Sequence, residues 1–286
     1  MTQTTPTHGH GHGHEYGQDG RVAMADILDL DAEVLAEHTA SIVSWLPVGD
    51  GPRRIVDLGC GTGVGTFALL ARFPEAHVTA VDSSDEHLRR VQDKAREAGV
   101  AGRVDTVRAD LDAAWPDLGR LDLVWASASL HHMADPDRLL RRVRDTLTPG
   151  GLLVVVEPDG FPRFLPDHAP EERPGLEGRC HDVADRGAAE RLPHRGADFG
   201  PMLVAAGFEI AGERIVTATV EHTRSRSVGR YALTGLGRIR DAVADTLAAE
   251  DLAALDRLLD PDGPHGLLRR DDLALRTTRT VWAARA

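Results

Sequence analysis

Apolar positions along the chain change period several times, and each change marks an element. Residues 22–46 carry Ile27, Leu30, Val34, Leu35, Ile42, Val43 and Leu46 at helical spacing and stop before Pro47, which predicts one or two helices. A short apolar run, Ile55-Val56, then ends in Asp57. A glycine-rich turn and an amphipathic segment with Phe67, Leu69, Leu70 and Phe73 follow at once. From there strand and helix patterns alternate. His77–Asp82 predicts a second strand, Glu86–Ala98 a helix, Val104–Asp110 a third strand and Leu121–Ser127 a fourth. Pro136–Leu147 reads as a helix, and Leu152–Glu157 as a fifth strand after the turn Thr148-Pro149-Gly150-Gly151. Such alternation predicts an α/β fold, a doubly wound and mostly parallel sheet with helices on both faces.

Beyond the fifth strand the pattern changes. Residues 158–195 lose periodicity and carry prolines at 158, 162, 166, 170, 174 and 193, which predicts an irregular insertion and not a packed helix. Lying after the carboxyl end of a strand, it is expected above the ligand crevice, as part of a substrate pocket or a lid. Ala197–Gly207 then reads as a helix, Phe208–Val220 as a sixth strand and Leu273–Ala284 as a last one. Between those strands, Leu233, Leu236, Ile239, Val243 and Leu247, then Leu252, Leu255, Leu258 and Leu259, predict a helical pair with one apolar face. That face could pack on the core, join a lid or form a homodimer contact. The expected organisation is a disordered tail (1–20), a helical cap (21–50) and one domain (51–286) with insertions at 158–196 and 224–272.

The chemistry concentrates at residues 55–65. Gly59, Gly61, Gly63 and Gly65 fall on alternate positions between strand and helix, where backbone can approach a nucleotide-like ligand because no Cβ intervenes. Cys60 sits inside this turn, where a small side chain is required. A dinucleotide fingerprint needs G-x-G-x-x-G. Counted from Gly59 the third glycine is Val64, and counted from Gly61 it is Thr66, so both counts fail. Asp82 and Asp110 close the second and third strands. An acid at the first of these places can accept ribose hydroxyls, and it would serve a nicotinamide cofactor equally well.

Asp57-x-Gly59-x-Gly61-x-Gly63 resembles motif I of the class I S-adenosylmethionine-dependent methyltransferases. Leu130-His131-His132, Asp135-Pro136 and Pro149-Gly150-Gly151 are similar to the ubiquinone/menaquinone-type branch that acts on small molecules. The resemblance is good over 50–160 and extends to the rest in outline. It implies a seven-stranded sheet with an antiparallel last strand and S-adenosylmethionine as cofactor. It also implies roles: Asp57, Gly59, Cys60, Gly61 and Gly63 at the aminocarboxypropyl end, Asp82 and Ser83 at the ribose, Asp110 and Leu111 at the adenine. Ser127 would offer backbone to the methionine amino group. The cap helices would close over the cofactor, making Tyr16 and Arg21 candidates to meet its methionine end or the acceptor. His131 and His132 are the candidate general bases, since an unperturbed imidazole titrates near 6.5. Glu157 is a weaker candidate at the acceptor. The rival readings are an NAD(P)-dependent oxidoreductase and a non-catalytic protein of the same fold.

Composition narrows the partners. Of 286 residues, 42% are hydrophobic, enough for a core, and no apolar run is long enough to span a membrane. A net charge of −12 argues against a nucleic-acid partner held on a broad basic face. Basic residues are almost all arginine, with Lys94 the single lysine, and asparagine is absent, a bias expected of a G+C-rich bacterial genome. Two cysteines, Cys60 and Cys180, form no framework of bridges, and no secretion signal is evident, so a reducing cytoplasmic setting is expected. No metal spacing is apparent in the domain. The tail histidines His8, His10, His12 and His14 alternate with glycine and could chelate a divalent ion weakly. The acceptor is expected to be a small molecule or peptide of secondary metabolism.

Overall fold

A computed structural model describes residues 18–49 and 51–286, with side chains from residue 24 onward except at position 50. The expectations for the histidine tail and Tyr16 lie outside the described residues, as does the side chain of Arg21. Two helices come first, α1 (Gln18–Val34) and α2 (Ala36–Trp45). The alternating core follows: β1 (Arg54–Leu58), α3 (Val64–Arg72), β2 (His77–Asp82), α4 (Asp85–Glu97), β3 (Val104–Arg108), β4 (Leu121–Ser127), α5 (Pro136–Thr146) and β5 (Leu147–Pro158). The remainder is α6 (Leu176–Ala188), α7 (Phe199–Ala205), β6 (Glu209–Glu221), α8 (Ser227–Val243), α9 (Ala249–Leu259) and β7 (Ala274–Arg285).

The strands form one sheet in the order β3-β2-β1-β4-β5-β7-β6. β1 to β5 are parallel, and β7 runs antiparallel to both β5 and β6. Every parallel strand therefore ends on the same edge of the sheet, where β7 begins. Strand order reverses between β1 and β4, the switch point where open α/β sheets bind ligands. Local chemistry sets the helix starts at that edge: Ser84 Oγ accepts from His87 N at 3.3 Å and opens α4. Asp135 Oδ1 accepts from Arg138 N at 2.9 Å, with Pro136 in the first turn of α5.

Apolar residues of the two sheet faces pack under α5 and α7 on one side and α2 and α3 on the other. A further core is made by α1, α6, α8 and α9 against the end of β6 and the start of β7. It answers what the predicted helical pair does: its leucines pack inward, with Leu236, Leu255 and Leu258 at most 1% exposed.

Around β5, two boundaries differ from expectation. The insertion after β5 is not wholly irregular, because α6 occupies Leu176–Ala188 within it. Its apolar stripe is thin: Leu176, Cys180 and Ala184 are buried beside Glu177 and His181, so a charged and a titratable side chain interrupt the pattern. Glu177 is buried to serve the loop, its two oxygens accepting from Phe164 N at 2.8 Å and Leu165 N at 2.9 Å. β5 also begins earlier than expected, at Leu147. Its pairing with β4 skips from Leu147 to Leu152, so the predicted Thr148–Gly151 turn survives as a bulge inside the strand.

Candidate active site

The glycine turn is built by close approach. Gly59, Gly61 and Gly63 have φ of 65°, 52° and 95°, in the region that disfavours a side chain. A Cβ on Gly59 would lie 2.6 Å from the Cβ of Ser129, so the turn after β4 packs directly on the turn after β1. Ser129 Oγ donates to Leu58 O at 3.0 Å and fastens the two together.

Asp57 is buried, 2% exposed, and its Oδ2 accepts from Thr66 Oγ1 at 2.7 Å. Burial drives its pKa up to about 7, against the lowering effect of the Thr66 hydrogen bonds and with a smaller upward push from the Asp82 charge. Burial also pushes the Cys60 thiol well above its ordinary range, helped by the same two acids. Asp82 is pre-positioned: Oδ2 accepts from Gly61 N at 2.9 Å and Oδ1 from Ser84 N at 2.9 Å. His87 Nδ1 also lies 3.2 Å from Oδ1, so of about four lone-pair sites one, on Oδ2, stays open for a ribose hydroxyl. Asp110 is exposed two residues beyond β3, which stops at Arg108 short of the expected Asp110, and its Oδ1 accepts from Asp112 N at 3.0 Å.

After β4 the backbone is strained, with Ala128 at φ 50°. A 3-10 turn, Leu130–His132, follows. Glu157, at the end of β5, organises it: Oε1 accepts from Leu130 N at 2.8 Å and Ser129 N at 3.2 Å. Its Oε2 lies 2.5 Å from Nδ1 of His131. The sequence expectation that Glu157 meets the acceptor is therefore corrected. At 3% exposure it sits behind His131, because its oxygens are engaged by two amides and an imidazole. His131 is buried, while His132 is exposed with its ring centroid 4.2 Å from that of His131.

These features line one cleft of about 1110 Å³ along the carboxyl edge of the sheet. Asp57, Gly59, Cys60, Gly61, Asp82, Ser83, Asp110, Leu111, Ser127, His131 and His132 all border it. Gly63 is turned away, its φ serving the start of α3. The volume exceeds the roughly 300–1,000 Å³ usual for one small ligand, so two can share it. Other walls come from segments with no motif: Leu28 and Asp31 of α1, Trp125 of β4, Phe161 and Arg195 of the insertion, Tyr231 of α8 and Arg279 of β7. Helical periodicity had indicated α1 as a cap, but nothing local marks Tyr231 or Arg279.

A strap holds α1 across the cleft. Asp29 accepts from Arg90 Nη1 and from Lys94 Nζ, both at 2.6 Å, while Lys94 also donates to Thr62 O at 3.0 Å. Burial acts to raise the Asp29 pKa, but hydrogen bonds from Lys94 and Arg90 outweigh it and hold the acid below its ordinary value. Among the described residues no group of His, Cys, Asp and Glu side chains could hold a metal ion, and no helix is long and apolar enough to cross a membrane.

Comparison with known proteins agrees with this geometry. Residues 55–151 match the family described as "Methyltransferase domain". The chain is 30% identical over 213 residues to the trans-aconitate 2-methyltransferase of Paracidovorax citrulli (strain AAC00-1), covering 74% of this chain and 79% of that one. It is 35% identical over 225 residues to the malonyl-[acyl-carrier protein] O-methyltransferase of Laribacter hongkongensis (strain HLHK9), covering 72% and 70%. Among solved structures, the [4+2]-cyclase SpnF matches with a TM-score of 0.50 and 25% identity over 87% of this chain and 81% of that one. The chain belongs to the class I S-adenosylmethionine-dependent methyltransferases. Its cofactor is S-adenosylmethionine, and the residues present fit that group: a turn whose φ values and contacts exclude side chains, a spaced series of acids and a cleft with room to spare.

Proposed function

We propose that the chain methylates a hydroxyl oxygen of a small molecule, with His131 as general base. S-adenosylmethionine supplies, when bound, a methyl group already made electrophilic by its sulfonium, so the protein's tasks are positioning, exclusion of water and removal of a proton. Asp57, Gly59, Cys60, Gly61 and the carbonyl side of Ser127 would hold the aminocarboxypropyl end, with Gly63 shaping the turn. Asp82 and Ser83 would take the ribose, and Asp110 with Leu111 the adenine. Orientation of this kind can contribute about 7–11 kcal/mol in favourable cases.

The observation that carries the proposal is the His131–Glu157 pair. A carboxylate accepts and does not donate, so in neutral His131 the proton sits on Nδ1, and Nε2 keeps a lone pair. A general base so oriented is worth roughly 10²–10⁴-fold. His132 is exposed, with its ring against that of His131, and is expected to shape the pocket. Oxygen as the acceptor atom fits a relative named as an O-methyltransferase.

Glu157→Gln tests the assignment. The glutamine oxygen can still accept from the Leu130 and Ser129 amides. Its NH2, facing Nδ1, would force the proton of His131 onto Nε2 and abolish the base. On the best acceptor from a panel of phenols, alcohols, amines and peptides with methyl-labelled S-adenosylmethionine, kcat should fall by about 10²-fold or more. Affinity for S-adenosylhomocysteine should be unchanged. Unaltered kcat, or a parallel loss of cofactor affinity, would overturn the reading.

A further inference from the structure

The sheet order sorts the charges of the cleft. Asp57, Asp82, Asp110 and Asp112 stand at or just beyond the ends of β1, β2 and β3, on one side of β4, with Arg108 the one lining arginine among them. On the other side of β4 the lining charges are Arg279, Arg195 and a single acid, Asp31. Arg279 stands opposite Pro158 in the β5–β7 pairing, and one of its terminal nitrogens donates to both oxygens of Asp31 at 2.8 Å. Tyr231 Oη donates to the same Asp31 at 2.9 Å. This leaves Arg279 Nε buried and without a hydrogen-bond partner among the described residues. A cationic donor bordering a ligand cleft and left unpaired points to a ligand that pairs it.

Arg195 is the second cation. Its guanidinium carbon lies 4.1 Å from the centroid of the Phe161 ring, which also lines the cleft. Its contact to an acid is loose, Nη1 to Asp185 Oδ1 at 3.4 Å, and Asp185 is itself half exposed. Two guanidinium groups and one carboxylate, Asp31, line this end of the cleft, with Asp185 beside Arg195 and the Glu157 charge acting on Arg279 from behind. Aromatic faces from Phe161 and Tyr231 stand beside them.

We propose that the acceptor carries a carboxylate, remote from the methylated oxygen, which docks on Arg195 and on Nε of Arg279 while Phe161 and Tyr231 cover its apolar body. Arg195 and Arg279 are then specificity-determining residues. The inference rests on the reading of this cleft as the acceptor site, and it makes carboxylate recognition a property of binding, separate from the proton transfer at His131.

The test uses the full chain saturated with S-adenosylhomocysteine and titrated calorimetrically with 4-hydroxycinnamate, its methyl ester and its amide. The acid should bind about tenfold tighter than either neutral form, a charge-assisted hydrogen bond being the difference. Arg195→Gln should erase most of that advantage by weakening the acid far more than the ester. Arg279→Lys, which keeps the charge beside Asp31 but loses Nε, should reduce it too, with the melting temperature confirming that the variant folds. Equal affinity for acid and ester, preference for the ester, no binding of the acid, or equal weakening of both by Arg195→Gln would each overturn the proposal. Turnover of the ester by the native chain and its loss in Glu157→Gln would leave the base assignment standing whatever the acid does. The acid-to-ester ratio remains readable even where no phenol is methylated.

Discussion

Cofactor affinity should rise with pH across neutrality, because Asp57 titrates there. Burial places its pKa at about 7, so the acid is roughly nine-tenths neutral at pH 6 and nine-tenths ionised at pH 8. If the positively charged amino end of the cofactor seats against the ionised carboxylate alone, affinity follows the ionised fraction. That predicts about a tenfold gain for S-adenosylhomocysteine between pH 6 and pH 8, equivalent to about 1.4 kcal/mol. Near pH 7 binding should release about half a proton, readable by calorimetry in two buffers of different ionisation enthalpy. The free protein should respond in the opposite sense. A folded-state pKa raised above the ordinary carboxylate value means that the native state holds the proton more tightly. The stability from this group is therefore complete below about pH 4 and is lost as pH rises toward 7. Asp57→Asn should flatten both profiles. Thr66→Val, which removes the 2.7 Å hydrogen bond that favours the ionised form, should move the affinity profile to higher pH. An affinity that is flat or falling from pH 6 to 8, or an Asp57→Asn variant with the native slope, would refute the reasoning.

Two further outcomes can be measured directly. Gly59→Ala puts a Cβ 2.6 Å from that of Ser129 at a φ of 65°, so it should cost about 1–2 kcal/mol of backbone strain and weaken S-adenosylhomocysteine binding at least tenfold, followed by denaturation and calorimetry. Asp251 is buried, and hydrogen bonds from Arg179 and Arg173 outweigh its desolvation and lower its pKa to about 2. Its stabilising contribution is thus present above about pH 4 and lost as pH falls toward 2. Arg179→Met should lower stability by about 1–3 kcal/mol at pH 7 and make acid unfolding less steep. An unchanged melting temperature would show that Arg173 alone satisfies the acid.

The core pattern was legible in the residues because each signal is local. Strand, glycine turn and helix lie within twenty residues around Asp57, and the acids that follow stand at or just beyond the ends of the next two strands in chain order. Short right-handed crossovers leave few ways to lay such units down, so order in the sequence becomes order along the sheet edge. Period alone failed where burial was mixed: α6 hides Glu177 and His181 among its apolar positions, and proline density before it masked the helix. The role of Glu157 also escaped, since its three partners lie 26 to 28 residues away on another turn.

What the sequence determined by itself was one side of the cleft: the bare turn at Gly59, Gly61 and Gly63 and the acids Asp57, Asp82 and Asp110. The other side was decided by tertiary structure. β7 inserts between β5 and β6, and α1 lies against α8. Only this brings Asp31, Arg195, Tyr231 and Arg279 to one wall of the cleft, although up to 248 residues separate Asp31 from Arg279. Contacts at such separation have no period or spacing to announce them. They exist because the apolar faces of non-adjacent helices must be buried together, and the polar groups carried along are then positioned by that packing.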